Sequence, residues 1–126
     1  MTRQIVILID HGTPVPSSPS PLSRLASILA GRAGVRVIVA HLVGEPSLAD
    51  AAARAAGEGA ERVTVLPCLL ADGHHTRRTL PDLLAEARRN HPAVEFDLAE
   101  PLGMDDRLAV ILMDRLRDHL VGWTTA

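Results

Sequence analysis

The chain has 126 residues, 13 Lys and Arg against 15 Asp and Glu for a formal charge of −2, and only 2% aromatic residues. A chain of this length buries about two-thirds of the surface it exposes when unfolded, so residues 1–126 are expected to form one domain around one core. The near-neutral charge, with no long basic run, excludes the electrostatic footprint of a nucleic-acid or membrane-surface binder, and so few rings leave no platform on which bases would stack.

In chain order, residues 5–9 (Ile-Val-Ile-Leu-Ile) make a continuous apolar run of strand length, as suits a parallel strand covered on both faces. The run is too short for the apolar core of a signal segment, and it gives way at once to Asp10-His11-Gly12-Thr13. The Pro- and Ser-rich stretch 14–21 reads as a loop ending in Ser20-Pro21, an N-cap followed by a first helical residue. Leu22, Leu25, Ala26 and Leu29 recur at helical spacing, Gly31 and Gly34 close that helix, and 35–42 is again a nearly unbroken apolar strand. A second helix is expected from about Ser47 to Gly57 or Gly59, where glycines stop it, and a third strand over 62–69. The spacing then predicts a loop over 70–79 and a third helix opened by Pro81 and ending near Asn90, with Pro92 beyond it as a stop. Residues 94–98 form a fourth strand, and Asp105 or Asp106 caps a last helix running through Leu108, Ile111, Leu112, Leu116 and Leu120.

Four strands alternating with four helices predict an α/β fold: a single doubly wound, mainly parallel four-stranded sheet with helices on both faces, flavodoxin-like in its layering. The lone cysteine, Cys68, lies inside the apolar run 63–70, so no disulfide framework exists and a cytoplasmic setting is expected. No stretch approaches the roughly 18 apolar residues of a membrane-spanning helix.

Ligands of such sheets bind outside the carboxyl ends of the strands. That edge gathers Asp10, His11 and Thr13 after the first strand, His41 and Glu45 around the end of the second, Asp72, His74 and His75 after the third, and Glu100 after the fourth. Four of the six histidines therefore share one edge, whereas His91 and His119 fall near helix C-termini, which favour a cation. Imidazoles delivered by two separate strands leave coordination positions open for a substrate, the geometry of a catalytic metal site; a loop histidine bonded to backbone is the competing explanation for each. Gly12 also suits a phosphate cradle, as in a flavodoxin-like nucleotide-binding or regulatory domain. No G-x-G-x-x-G or Walker lysine is present, however, and Pro14 and Pro16 remove backbone donors. Ser17, Ser18 and Ser20 lie near His11 without a nucleophile elbow, and Cys68 reads as core. Arg77 and Arg78 are either solvated loop charges or forks for substrate carboxylates.

The order His11-Gly12-Thr13, Glu45-Pro46-Ser47-Leu48, Pro67-Cys68-Leu69-Leu70 with Gly73-His74-His75-Thr76-Arg77-Arg78-Thr79-Leu80-Pro81, and Glu100-Pro101-Leu102-Gly103 resembles the short CbiX-type sirohydrochlorin chelatases over about residues 5–115. The resemblance implies ATP-independent insertion of a divalent metal into sirohydrochlorin or a related acidic tetrapyrrole, in cobalamin- or siroheme-type biosynthesis. Cobalt is the first choice of metal and nickel or iron the alternatives. Counting from Pro67 and from Pro81 places the family's second histidine on His75 rather than His74, and His11 matches the first; the two would hold the metal and take up pyrrole protons. Gly12, Thr13, Gly73, Arg77 and Arg78 would meet the substrate, with His74, Glu45 and His41 as further site candidates. The resemblance implies no nucleotide cofactor. It also implies a homodimer, since one short chain is similar to half of the longer, duplicated chelatases, and two-fold pairing is the commonest oligomer.

The sequence departs from the family pattern at Asp10 (Gly in the family), Thr13 (Ser), Thr79 (Asp) and Leu42 (Glu), which leaves Glu45 as the nearest acidic substitute. These departures leave a second reading, a non-catalytic metal- or tetrapyrrole-binding relative.

Overall fold

Eight elements alternate along the chain: β1 (Gln4–Gly12), α1 (Pro21–Ala33), β2 (Arg36–Val43), α2 (Leu48–Gly57), β3 (Arg62–Pro67), α3 (His74–Asn90), β4 (Glu95–Leu98) and α4 (Asp106–Leu116). The structure, a computed structural model, describes residues 2–14, 20–70, 73–103 and 105–122, and of residues 74–76 the backbone alone. The strands form one parallel sheet in the order β2-β1-β3-β4.

The central strand β1 explains why its sequence is apolar without alternation. Successive side chains point to opposite faces, and both faces are covered. Ile5, Ile7 and Ile9 join Ile38 and Ala40 of β2, Val63 and Val65 of β3 and Phe96 of β4 on one face, under Leu48, Ala51, Ala52 and Ala55 of α2 and Leu80, Leu84 and Ala87 of α3. Leu8 and Val37 meet Leu22 and Ala26 of α1 on the other. This division follows from right-handed crossovers: β1 to β2 moves one way along the sheet, β2 to β3 and β3 to β4 the other, so α1 lies opposite α2 and α3.

The helix ends follow local chemistry. Ser20 accepts the Leu22 amide at 3.2 Å to cap α1, which ends at Gly34 in the left-handed conformation, φ 66°; Gly31 lies inside the helix. Ser47 and Asp50 form a reciprocal capping box on α2, each side chain bonding the other's amide at 3.1 Å. At the amino-terminal edge of the sheet Arg36 chelates Glu58, and Arg62 meets Asp97 at 2.9 Å. Arg36, Arg54 and Arg3 hold the Glu58 carboxyl below the usual range. That edge is paired charge.

Four boundaries differ from expectation. β1 continues through Asp10 and His11 to Gly12 because β2 keeps pairing with it, Asp10 opposite His41 and Gly12 opposite Val43. β3 stops at Pro67, which brings no amide to the ladder. α3 begins at His74, so residues 74–79 of the segment expected as loop are helical and Pro81 lies within the helix. A proline there removes the amide that would reach the carbonyl four residues earlier; burial of Leu80, Leu84 and Ala87 against the sheet, at one-turn spacing, holds the helix through it. α4 ends at Leu116, short of Leu120, and none of its residues is buried.

Candidate functional site

The direction of the connections reverses between β1 and β3, and in doubly wound sheets the crevice opens at the carboxyl ends of such a pair. Here the two strands part after Ile9 pairs with Pro67, while β1 runs on against β2 alone. His11 lies on that overhang. Strand alternation assigns it to the face of Ile7 and Ile9, the face covered by α2 and α3. β3 leads into α3, whose first two residues are His74 and His75 and whose buried side chains pack on the same face. The structure thus brings His11 and the first turn of α3 to one side of the switch point.

His11 is exposed, and its Nδ1 lies 3.2 Å from the Gly12 carbonyl. A carbonyl only accepts, so the tautomer of the neutral ring that fits this contact has the proton on Nδ1 and the lone pair on Nε2. Gly12 has φ +78°, and a Cβ there would stand 2.1 Å from the Val43 carbonyl oxygen and 2.6 Å from the His41 Cβ. Only glycine lets the end of β1 lie so close to β2.

The remaining candidates divide between two faces. Leu42 packs against the cluster on the α2/α3 face, so an apolar side chain stands where an acidic one was sought. Glu45 follows in the exposed turn before α2, and among the described residues no three His, Cys, Asp or Glu side chains converge to hold a metal. His41 belongs to the opposite, α1-facing side and donates from Nδ1 to the Asp10 carboxylate at 2.5 Å. That bond was not anticipated; its signal was that both residues end the apolar runs of two strands. Cys68 shares this side, half-buried against the α1 cluster. Burial, and then the charge of Asp10, push its thiol up, so it stays protonated and serves as packing.

On the α3 side, Gly73 is the N-cap of α3, without a side-chain cap. Arg77 and Arg78 are exposed on the following turns. The unpaired amides and positive dipole of a helix start favour anions. Beside it lies a cleft of about 230 Å³ between the ends of β3 and β4, walled by Pro67, Leu80, Pro81 and Leu98, with Arg77 and Glu100 on its rim. Thr13 is exposed beyond β1. Asp72, Ser17, Ser18 and Pro16 lie outside the described residues, while Ser20 is occupied in capping α1.

A profile of the CbiX family matches residues 5–119. The sirohydrochlorin cobaltochelatase of Methanocaldococcus jannaschii is 30% identical over 138 residues, covering 89% of this chain and 96% of that protein. The CbiX protein of Marinobacter aquaeolei VT8, solved by crystallography, is 31% identical with a TM-score of 0.68 and covers 91% of this chain and 95% of that one. SirB from Bacillus subtilis, solved with Fe³⁺, shares the fold with a TM-score of 0.83 at 19% identity. There the match takes in 98% of this chain but 49% of SirB, so the chain spans about half of that protein.

Proposed function

The chain belongs to the CbiX family, and from that premise we propose that it is a sirohydrochlorin chelatase, inserting a divalent metal into the macrocycle without ATP. The observation that carries this reading is the placement of His11 and the first turn of α3 on one face of the β1/β3 switch point. In this reading His11 and His75 bind the metal through neutral imidazole and accept the pyrrole protons that the metal displaces. Two histidines leave positions on the metal for the ring nitrogens, and the metal is a substrate that leaves with the product. Cobalt is the metal we assign first, with iron and nickel as competitors, because divalent affinities overlap at such donors.

Sirohydrochlorin is acidic, and the start of α3 with Arg77 and Arg78 offers it helix amides and two guanidinium forks. Gly12, Thr13 and Gly73 supply backbone that the ring edge can approach closely. His74, Glu45 and His41 stand behind the preferred pair, His41 because it lies on the other face of the sheet.

The partner we assign is a second copy. Ile111, Leu112 and Leu116 of α4, on one side of the helix by their spacing, are between 44% and 63% exposed, and no residue of the helix is buried. SirB carries as much chain again beyond the match, and a two-fold pair supplies a comparable second domain. Among the described residues no helix is long and apolar enough to cross a membrane; we place the reaction in the cytoplasm.

One observation favours a second reading. Leu42 puts no acid on the site face of β2, as suits a metal or tetrapyrrole carrier that does not catalyse insertion. Optical assay of sirohydrochlorin with Co²⁺, Ni²⁺ and Fe²⁺ separates the two. Metal-dependent loss of the free-base spectrum with wild type, abolished in His11→Ala and His75→Ala, supports the chelatase; binding without spectral conversion supports the carrier.

A further inference from the structure

From Asp10 to Gly12 the central strand is paired, among the described residues, on one side. Its last pair with β3 is Ile9 opposite Pro67, and the Cys68 amide donates to the Ile9 carbonyl at 2.7 Å as the last bond from that side. Beyond it, among the described residues, β1 pairs with β2 alone, through Asp10 opposite His41 and Gly12 opposite Val43. A strand end with one neighbour frays unless something besides the ladder holds it.

Two features do so here. Gly12 lets the backbones meet at a distance no other residue would allow. One step earlier the Asp10 carboxylate accepts Nδ1–H of His41, a part-buried contact of 2.5 Å between residues directly opposite in register. His41 is in turn anchored, its amide donating to the Pro46 carbonyl at 2.9 Å. The carboxylate therefore connects β1 to the turn that leads into α2. Alternation turns Asp10 and His41 toward α1 and His11 toward α2 and α3, so neither joins His11 in one ligand set by strand geometry; their effect on it passes through the backbone.

We propose that Asp10 and His41 are positioning residues: a clasp across the ends of β1 and β2 that fixes the overhang presenting His11 to the start of α3. The inference rests on the assignment of His11 as a metal-binding residue.

The test measures Co²⁺ affinity by titration, and KM for Co²⁺ and kcat in insertion, for wild type, Asp10→Ala, His41→Ala, the double variant, Asp10→Asn and His11→Ala. Thermal midpoints establish that each variant is folded at the assay temperature. Loss of a residue that orients a metal-binding histidine costs on the order of 10-fold in metal affinity. The clasp predicts such a loss for Asp10→Ala and for His41→Ala, felt in KM for the metal more than in kcat. It predicts no further loss in the double variant, and recovery in Asp10→Asn, whose side-chain oxygen still accepts from Nδ1. Wild-type affinity in folded Asp10→Ala overturns the clasp, as does an additive double variant. If His11→Ala itself binds Co²⁺ like wild type, the assignment of His11 falls and the clasp with it; if His11→Ala abolishes binding while Asp10→Ala does not, only the clasp falls.

Discussion

Replacing Gly12 with alanine tests the geometry of the overhang. The new Cβ would lie 2.1 Å from the Val43 carbonyl oxygen, where ordinary contact begins at 3.4 Å, so the strands must part by about 1.3 Å, and φ is +78°. A left-handed backbone costs an alanine about 1 kcal/mol, partly offset by a stiffer unfolded chain. Forcing packed backbone apart adds about 1–3 kcal/mol. The natural control is Gly34→Ala, where φ is +66° but nothing lies within 4 Å of the added atom. Unfolding in urea should therefore show a loss of about 1 kcal/mol for Gly34→Ala and about 3 kcal/mol for Gly12→Ala, out of the 5–15 kcal/mol typical of a domain. Because the displaced segment carries His11, metal insertion should fall on the order of 100-fold in Gly12→Ala at a temperature where it remains folded, and stay near wild type in Gly34→Ala. Equal losses of stability in the two variants would refute the close approach of β1 and β2.

Other outcomes follow from single contacts. Ser47→Ala and Asp50→Ala should each destabilise by about 1 kcal/mol in urea unfolding, and the double variant by less than their sum, because each side chain caps the other's amide. Cys68 should be alkylated by iodoacetamide at pH 8 more slowly than in the unfolded chain, since its raised pKa lowers the thiolate fraction, and Asp10→Asn should speed the reaction by removing one cause of that rise. Leu112, 63% exposed on α4, should tolerate Asp in an isolated domain; in the proposed homodimer Leu112→Asp should shift sedimentation from dimer to monomer. A wild-type protein that sediments as a monomer at micromolar concentration would count against the pair.

The parallel sheet was legible because β1 is a continuous apolar run and β2 a nearly unbroken one, and α1 and α2 because Ser20-Pro21 and Ser47 announce their starts. The start of α3 was misread because Pro81 is a strong opening signal in sequence, whereas the packing of Leu80, Leu84 and Ala87 that carries the helix through it is tertiary. His11 could be found from its place after a strand. The contact of Asp10 with His41 could not, because which residues face each other across 31 positions of chain is settled by register, and register depends on both strands at once. The exposure of α4 was likewise hidden, since Ile111, Leu112 and Leu116 read as a core-facing stripe whether the surface they cover belongs to this chain or to another.

In the proposed site His11 and the first turn of α3 meet on one metal at the β1/β3 switch point. A crystal structure of the protein soaked with Co²⁺, with anomalous scattering recorded at the cobalt edge, tests it most directly. The expected peak lies about 2.1 Å from one ring nitrogen each of His11 and His75, at the carboxyl end of the sheet between β1 and β3. A peak bound by His91 or His119, or by Asp10 and His41 without His11, would contradict it.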